Sequence, residues 1–328
     1  MISCTEFIPL YSEFFKYLES RGGHDEVMKY WLHISETSIG DRTNPNSLAY
    51  KCDRLGGFEG ALAYWGHTLT EEACDIFQVL DREGGFRYSH MRYCPSRGML
   101  NGLSHIEPYY DYCSHCNVLY SRILERYGIE FVRDHRCIDR AECRSIFYKK
   151  GNAPGFDFMN ADDREILKYC KDSATIVDMK REDNKYLHRD FHLLGDNALK
   201  YCAEVYGEEA LTEFLEKFTV AYYAPLIEEI RGEGLVALER WFMKKYEVEE
   251  AADTLQTLLT DEALTVTIDE CPAIAFMKTL GKEPSQYYIE ETRTVYSALA
   301  KACGYSFTQE YYRENGGARF TFSKEQRS

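Results

Sequence analysis

Two short stretches of the sequence carry side chains at spacings that can do chemistry. The first is Cys113-Ser114-His115-Cys116. It lies in the run 107–128, whose periodicity predicts a helix, so Cys113 and Cys116, at i and i+3, share a face. Cys94 ends a predicted strand just before the chain turns and can approach that face, and Cys143 opens a later strand. Three or four thiolates gathered in this way would hold Zn²⁺ tetrahedrally. A single thiolate, at Cys113 or Cys116, would instead act as a nucleophile. Buried, inert cysteines are the third reading. A redox C-x-x-C opens a helix after a strand, whereas this one is expected inside a helical run.

The second stretch is Tyr186-Leu187-His188-Arg189-Asp190-Phe191-His192. His188 and His192 stand at i and i+4, so on a helix both imidazoles project from one face, a spacing that suits a shared metal or a shared anionic ligand. Arg189 occupies the place of the glutamate in H-E-x-x-H, which excludes a zincin. Hydrogen-bonded or exposed histidines are the alternative. Glu291, with Glu290 beside it, is a candidate general base; a solvated helix face is the plainer reading. The tyrosine pairs 109–110, 222–223 and 311–312 suit core packing or a flat ring ligand. The sequence holds no P-loop, no G-x-G-x-x-G opening a helix after a strand and no G-x-S-x-G, so nucleotide-driven and α/β-hydrolase chemistry lack support.

The elements that must position these residues belong to a chain of 328 residues, long enough for two domains. With 39 basic against 54 acidic side chains the formal charge is −15. Such a surface repels phosphate backbones, so no nucleic-acid partner is expected. No apolar run reaches the length of a membrane span, and the opening MISCTEFIPLYSEFF lacks the basic n-region of a signal peptide. The expectation is a soluble cytoplasmic protein with no membrane partner, compatible with a homo-oligomer. In that compartment disulfides are a poor explanation for the twelve cysteines.

Self-similarity organises the rest. Cys94-Pro95 and Cys271-Pro272 each follow a hairpin-like stretch, CDIFQVL to FRYSHMRYC and DTLQTLLT to LTVTIDEC. Trp65 and Trp241 precede them at similar distances. After each Cys-Pro come a short and a longer helical run, aligned so that Tyr112 matches Tyr288, Tyr120 matches Tyr296 and Gly128 matches Gly304. Each glycine is placed to end its helix. A second hairpin-like segment follows each, the last one turning at Asn315-Gly316-Gly317. Upstream, Lys16-Tyr17 and Gly23 match Lys200-Tyr201 and Gly207. The pattern predicts an α+β fold made by tandem duplication of helices, hairpin, two helices, hairpin, with units at 1–150 and 186–328 and a linker over 151–185.

The run of Cys94-Pro95, Cys113 and Cys116, Gly128, and Cys143-Arg144 through Phe147 resembles the L-2-amino-thiazoline-4-carboxylic acid hydrolase-like proteins and, more distantly, small-molecule-binding domains of 4-vinyl-reductase type. The resemblance covers about residues 58–150 well and 190–328 more weakly. It implies an α+β fold with an antiparallel sheet, a small-molecule pocket and, for the first family, hydrolytic ring opening of a thiazoline at a C–N bond. In the second half Ile289 and Thr292 replace Cys113 and Cys116, and Ala318 stands close to the place of Cys143. The expectation is a hydrolase-like enzyme acting on a small cyclic C–N substrate, with a divalent metal such as Zn²⁺ or a cysteine for activation. A non-enzymatic small-molecule or metal-binding sensor is the alternative. Candidate catalytic residues are Cys113, Cys116 and Glu291; candidate metal ligands are His188, His192 and Cys94.

Overall fold

The structure, a computed structural model, describes residues 1–170 and 172–324. The chain runs α1 (Phe7–Gly22), α2 (His24–Ile34), α3 (Leu48–Leu55), α4 (Gly57–Thr68), β1 (Asp75–Asp81), β2 (Phe86–Tyr93), α5 (Pro95–Asn101) and α6 (His115–Arg126). It continues β3 (Ile129–Cys137), β4 (Glu142–Lys149), α7 (Asp163–Tyr169), β5 (Thr175–Met179), α8 (Asp190–Tyr206), α9 (Glu208–Tyr222) and α10 (Ala224–Glu233). The last elements are α11 (Leu235–Val248), β6 (Leu255–Leu259), β7 (Ala263–Ile268), α12 (Pro272–Thr279), α13 (Tyr288–Cys303), β8 (Tyr305–Tyr312) and β9 (Ala318–Lys324). The class is α+β, as the pattern predicts, with two antiparallel sheets. Among the described residues no helix is long and apolar enough to cross a membrane.

Two compact units divide the chain. The five-stranded unit comprises Leu18–Leu103 and Pro108–His188; the four-stranded unit comprises Met1–Tyr17, Ser104–Glu107 and Arg189–Ser328. The first seventeen residues, expected with the N-terminal half, therefore belong with the C-terminal one. Phe7 stacks on Phe191 at 4.7 Å, Phe14 packs on Phe214 at 5.0 Å, and the Tyr17 hydroxyl donates to the Ala210 carbonyl at 2.9 Å.

In the five-stranded unit the strand order is β3-β4-β2-β1-β5. Both faces of this sheet are covered. Phe77, Val79, Phe86, Tyr88 and Ile146 line one face and pack against Phe158 and Ile166. Those last two come from the stretch read as a linker. That stretch folds instead: a capping box between Asp162 and Glu165 starts α7, and β5 pairs with residues Ile76 to Leu80 of β1.

The opposite face is polar in its middle. The register places Gln78, Ser89, Ser145 and Arg133 in one row across β1, β2, β4 and β3, and Arg87 beside Phe147 in the next. Helices α4 and α6 cover it, with Trp65 5.1 Å from Phe147 and 5.0 Å from Tyr120. Helix α4 can lie close to α3 because residue 60 is glycine: a Cβ there would fall 2.3 Å from the Cys52 Cα.

The four-stranded sheet has the order β6-β7-β9-β8. By rank along the chain this is the sequence first, second, fourth, third, which β1-β2-β4-β3 also follows. Cys94 and Cys271 both cap a helix whose first residue is proline, with φ −81° and ψ 118° or 120°. Gly128 and Gly304 follow α6 and α13 at φ 67° and 79°, a region that favours glycine.

One helix begins later than predicted. The run 107–128 is helical only from His115, preceded by a single 3-10 turn at Tyr112–Ser114. Upstream, buried Tyr109 is held by side-chain bonds to His24 at 3.0 Å and Glu19 at 3.2 Å, and the chain there is irregular.

Candidate functional site

The late start of α6 changes the chemistry of Cys113-x-x-Cys116. The pair straddles the N-terminus of a helix instead of lying inside one, and Cys116 is the second helical residue. A helix N-terminus carries partial positive charge and favours a thiolate. The Tyr112 carbonyl can only accept, so the His115 Nδ1–H donates to it. That leaves the His115 Nε2 facing the Cys116 Sγ at 3.5 Å. Burial pushes the Cys116 thiol up, but His115 and the Arg133 guanidinium outweigh it and bring the thiol well below its ordinary value. Burial lowers the His115 imidazole, and the sulfur opposite raises it by more. The two shifts run in opposite directions, and each favours the charged form of its group.

Cys94, Cys113 and Cys143 share the same neighbourhood. Burial, followed by a neighbouring sulfur for Cys94 and Cys113, pushes those thiols up, Cys113 to about 12. Burial raises Cys143 as well, against the Arg133 charge. Among the described residues no three of these sulfurs lie within 4.8 Å of one another. A zinc ion with bonds near ~2.3 Å needs them closer. Cys94, Cys113, Cys116, Arg133 and Cys143 are each half-buried, and their charges act on one another, so they form one cluster inside the five-stranded unit.

Two buried guanidiniums, Arg87 and Arg133, stand close to one another beside this cluster. Arg87 is 1% exposed; its Nε donates to Gln78 Oε1 at 2.9 Å and its guanidinium lies 5.4 Å from the Trp65 ring and 5.5 Å from Phe147. Its Nη2 has no hydrogen-bond partner, and no carboxylate pairs with it among the described residues. Burial and the nearby Arg133 charge push its pKa down to about 9. The Arg133 Nε, the Arg97 Nε and Nη1 and the His135 Nδ1 are also buried without partners. Buried polar groups are normally satisfied, so the orphaned guanidinium nitrogens of Arg87, Arg133 and Arg97, whose charges act on one another or on the same cysteines, mark a place for an anion or for ordered water.

Comparison of the chain with protein-family models, with curated proteins and with solved structures finds no match.

The other predicted residues fall elsewhere. His188 precedes α8 instead of lying on it, and its Nδ1 is 2.7 Å from Glu71 Oε2. His192 is in the first turn of α8, with its Nε2 3.0 Å from Glu249 Oε2. The helical spacing expected for the two rings does not apply, and each is paired with its own carboxylate. Glu291 is neither a solvated face nor open to a large pocket. It is 2% exposed and lies 3.5 Å from the Met1 ammonium, which donates to Thr292 Oγ1 and Tyr296 OH, both at 3.0 Å.

The interior of the four-stranded unit is filled by residues 1–6. The Lys245 Nζ lies 2.8 Å from Glu6 Oε2 and donates to the Met1 carbonyl at 2.9 Å, while the Cys4 N–H donates to Glu249 Oε1 at 2.6 Å. Counted from the shared Cys-Pro and glycine landmarks, Leu264, Glu291, Thr292 and Gln309 stand where the five-stranded unit has Arg87, His115, Cys116 and Arg133, and by strand register Ala318, opposite Ile268, stands where Cys143 lies opposite Met91. This combination of residues is present in the five-stranded unit and not at the matching positions of the four-stranded one.

Sequence reasoning passed over His115, Arg87 and Arg133. The first was visible inside the C-x-x-C itself. The two arginines alternate with Phe86, Tyr88 and Val132 along their strands, and on a one-faced sheet that alternation reads as the solvent side.

Proposed function

We propose that the five-stranded unit is a thiol-dependent hydrolase acting on a small cyclic C–N substrate, thiazoline- or amidine-like, that carries an anionic group. On this reading the chain arose by duplication of one α+β unit, and only this copy carries the chemistry. The observation that carries the proposal is the Cys116 sulfur 3.5 Å from the His115 Nε2, at a helix N-terminus and within the field of Arg133. The thiolate attacks the sp² carbon and a carbon–sulfur bond forms; the carbon–nitrogen bond breaks and the departing nitrogen takes up a proton. Water then cleaves the carbon–sulfur bond and returns the thiolate. Arg87 and Arg133 neutralise the anionic group in a place that holds no other counter-ion for Arg87.

The test is ring opening of a thiazoline and amidine panel by the full chain and by Cys116→Ala. Loss of turnover in the variant with unchanged folding is expected; a variant that turns over like wild type overturns the reading. A binding protein without turnover is the second reading, favoured by the four orphaned donors. It would appear as ligand retention that Cys116→Ala leaves intact.

A further inference from the structure

The hairpin that joins β3 to β4 carries a thiol and arginines that the scheme above leaves unused. The ladder slips between Asp134 and Cys137, and Cys137 pairs with Glu142 at its end. The chain then makes one 3-10 turn, Ile138–Arg140, and reverses at Ala141, whose φ of 54° is left-handed. The turn is pinned from behind. The Asn101 Nδ2 donates to the Ile138 and Asp139 carbonyls at 2.9 and 3.0 Å, and the Cys94 N–H donates to the Ala141 carbonyl at 2.7 Å. The reversal carries the Arg140 guanidinium back over the strand end, where its Nη2 lies 3.1 Å from the Cys137 Sγ.

Met159 and Asn160, from the stretch that folds after β4, form the opposite wall. The Arg144 Nη1 holds it through the Met159 and Ala161 carbonyls at 3.1 and 2.6 Å, and the Arg136 Nη2 donates to Asn160 Oδ1 at 3.1 Å. Between the walls lies an open cleft of about 240 Å³, with Cys137 in its lining. That is room for a small molecule or for one arm of a larger one. The lining brings three guanidiniums, of Arg136, Arg140 and Arg144, against two carboxylates, of Asp134 and Glu142. Arg136 pairs with Asp134 and Arg140 with Glu142. Among the described residues Arg144 has carbonyl partners and no carboxylate. The cleft thus holds one positive charge more than its own carboxylates neutralise, beside a half-buried thiol.

We propose that this cleft is a second ligand site, for a small disulfide that carries a carboxylate, and that Cys137 exchanges with it to form a mixed disulfide. The carboxylate is met by Arg144. Arg140 offsets the charge of the attacking sulfur. Cys137 gives its proton to solvent and attacks one sulfur of the ligand as a thiolate. A new sulfur–sulfur bond forms as the old one breaks, and the departing sulfur leaves as a thiolate that takes up a proton from solvent. The ligand is itself the oxidant, and its departing half is reduced. The site is independent of the chemistry at Cys116.

Three disulfides of nearly equal size test this. 3,3′-Dithiodipropionate carries carboxylates, cystamine carries ammonium groups, and 2-hydroxyethyl disulfide is neutral. Rates of mixed-disulfide formation at Cys137 are read by peptide mapping and mass spectrometry. The reference is the same chain unfolded in urea, in which charges adjacent in sequence still act and the cleft does not. In the folded chain the rate with dithiodipropionate divided by that with cystamine should exceed the unfolded value at least ~10-fold, with the neutral disulfide between them. The preference should collapse in 1 M salt. It should also fall in Arg140→Gln and largely persist in Arg140→Lys. Cys116→Ala should leave it unchanged, so a failure of the hydrolase reading does not touch it. A folded ratio within twofold of the unfolded one, or a folded chain that forms no mixed disulfide at Cys137, overturns the proposal.

Discussion

Replacing Arg87 with methionine should make the ligand-free protein more stable. The guanidinium is 1% exposed, without a carboxylate partner, and burial together with the Arg133 charge pushes it down to about 9. An arginine ordinarily stays protonated beyond about 12. At about 1.4 kcal/mol per tenfold change in proton affinity, holding the charge there costs roughly 4 kcal/mol. Methionine fits the slot between Trp65 and Phe147 as a flexible apolar chain. It leaves the Gln78 Oε1 without its donor, a loss of about 1–3 kcal/mol. The net expectation is a gain of about 1–3 kcal/mol, or about 2–10 °C in the thermal midpoint for a unit of this size.

The cost is present in full below a pH of about 9 and is relieved above it as the folded state loses the proton. The difference between wild type and variant should therefore shrink at high pH. Differential scanning calorimetry at neutral and alkaline pH measures both effects. A small carboxylate such as propionate should raise the wild-type midpoint and leave that of the variant in place. A variant that loses ~1 kcal/mol or more at neutral pH would show that Arg87 is a structural residue, and the anion argument would fall with it.

Three further outcomes follow from the same contacts. His115→Asn removes the cation that ionises Cys116, so iodoacetamide labelling at neutral pH should slow by about 10–100-fold; a change within twofold would assign the ionisation elsewhere. Glu6→Ala strands Lys245, which is 5% exposed, and should cost about 3–5 kcal/mol in urea unfolding; a loss under ~1 kcal/mol would contradict that. Burial raises the Glu249 carboxyl, but His192 and the Cys4 N–H bring it below its ordinary value. Its contribution is present in full above the unfolded carboxyl pKa of about 4.3 and is lost as pH falls through the lower folded value. Unfolding free energies measured from about pH 6 downward should fall less steeply in Glu249→Gln than in wild type.

Much of the scaffold was legible in the residues. The hairpins at 75–93 and 255–268 show strand alternation, and Gly128 and Gly304 mark helix ends by conformational need. The start of α6 was not legible, because the side-chain bonds of Tyr109 to His24 and Glu19 come from residues remote in sequence. The folding of 151–185 was hidden for a similar reason. Phe158 and Ile166 are isolated apolar residues in a charged stretch, and their burial depends on a sheet face they meet only in three dimensions. That hidden cover also disguised Arg87 and Arg133, which sit on the second buried face of the same sheet. Cys116 was visible as a thiol, but its activation depends on the helix boundary and on His115 turning toward it.

The division of the chain also sets an order of events during synthesis. Phe7, Leu10, Tyr11, Phe14 and Phe15 are all buried, and α1 reaches its partners Phe191 and Phe214 in elements that begin with Arg189. At about 5–20 residues per second the ribosome needs roughly 10–35 s to travel from the end of the first segment to the start of the next large one. For most of that interval α1 stands without Phe191 and Phe214, while the residues of the five-stranded unit are being made. The nascent chain is thus a natural client for chaperones that hold exposed apolar helices. A message cut short before Arg189 would release a product in which this helix lacks Phe191 and Phe214.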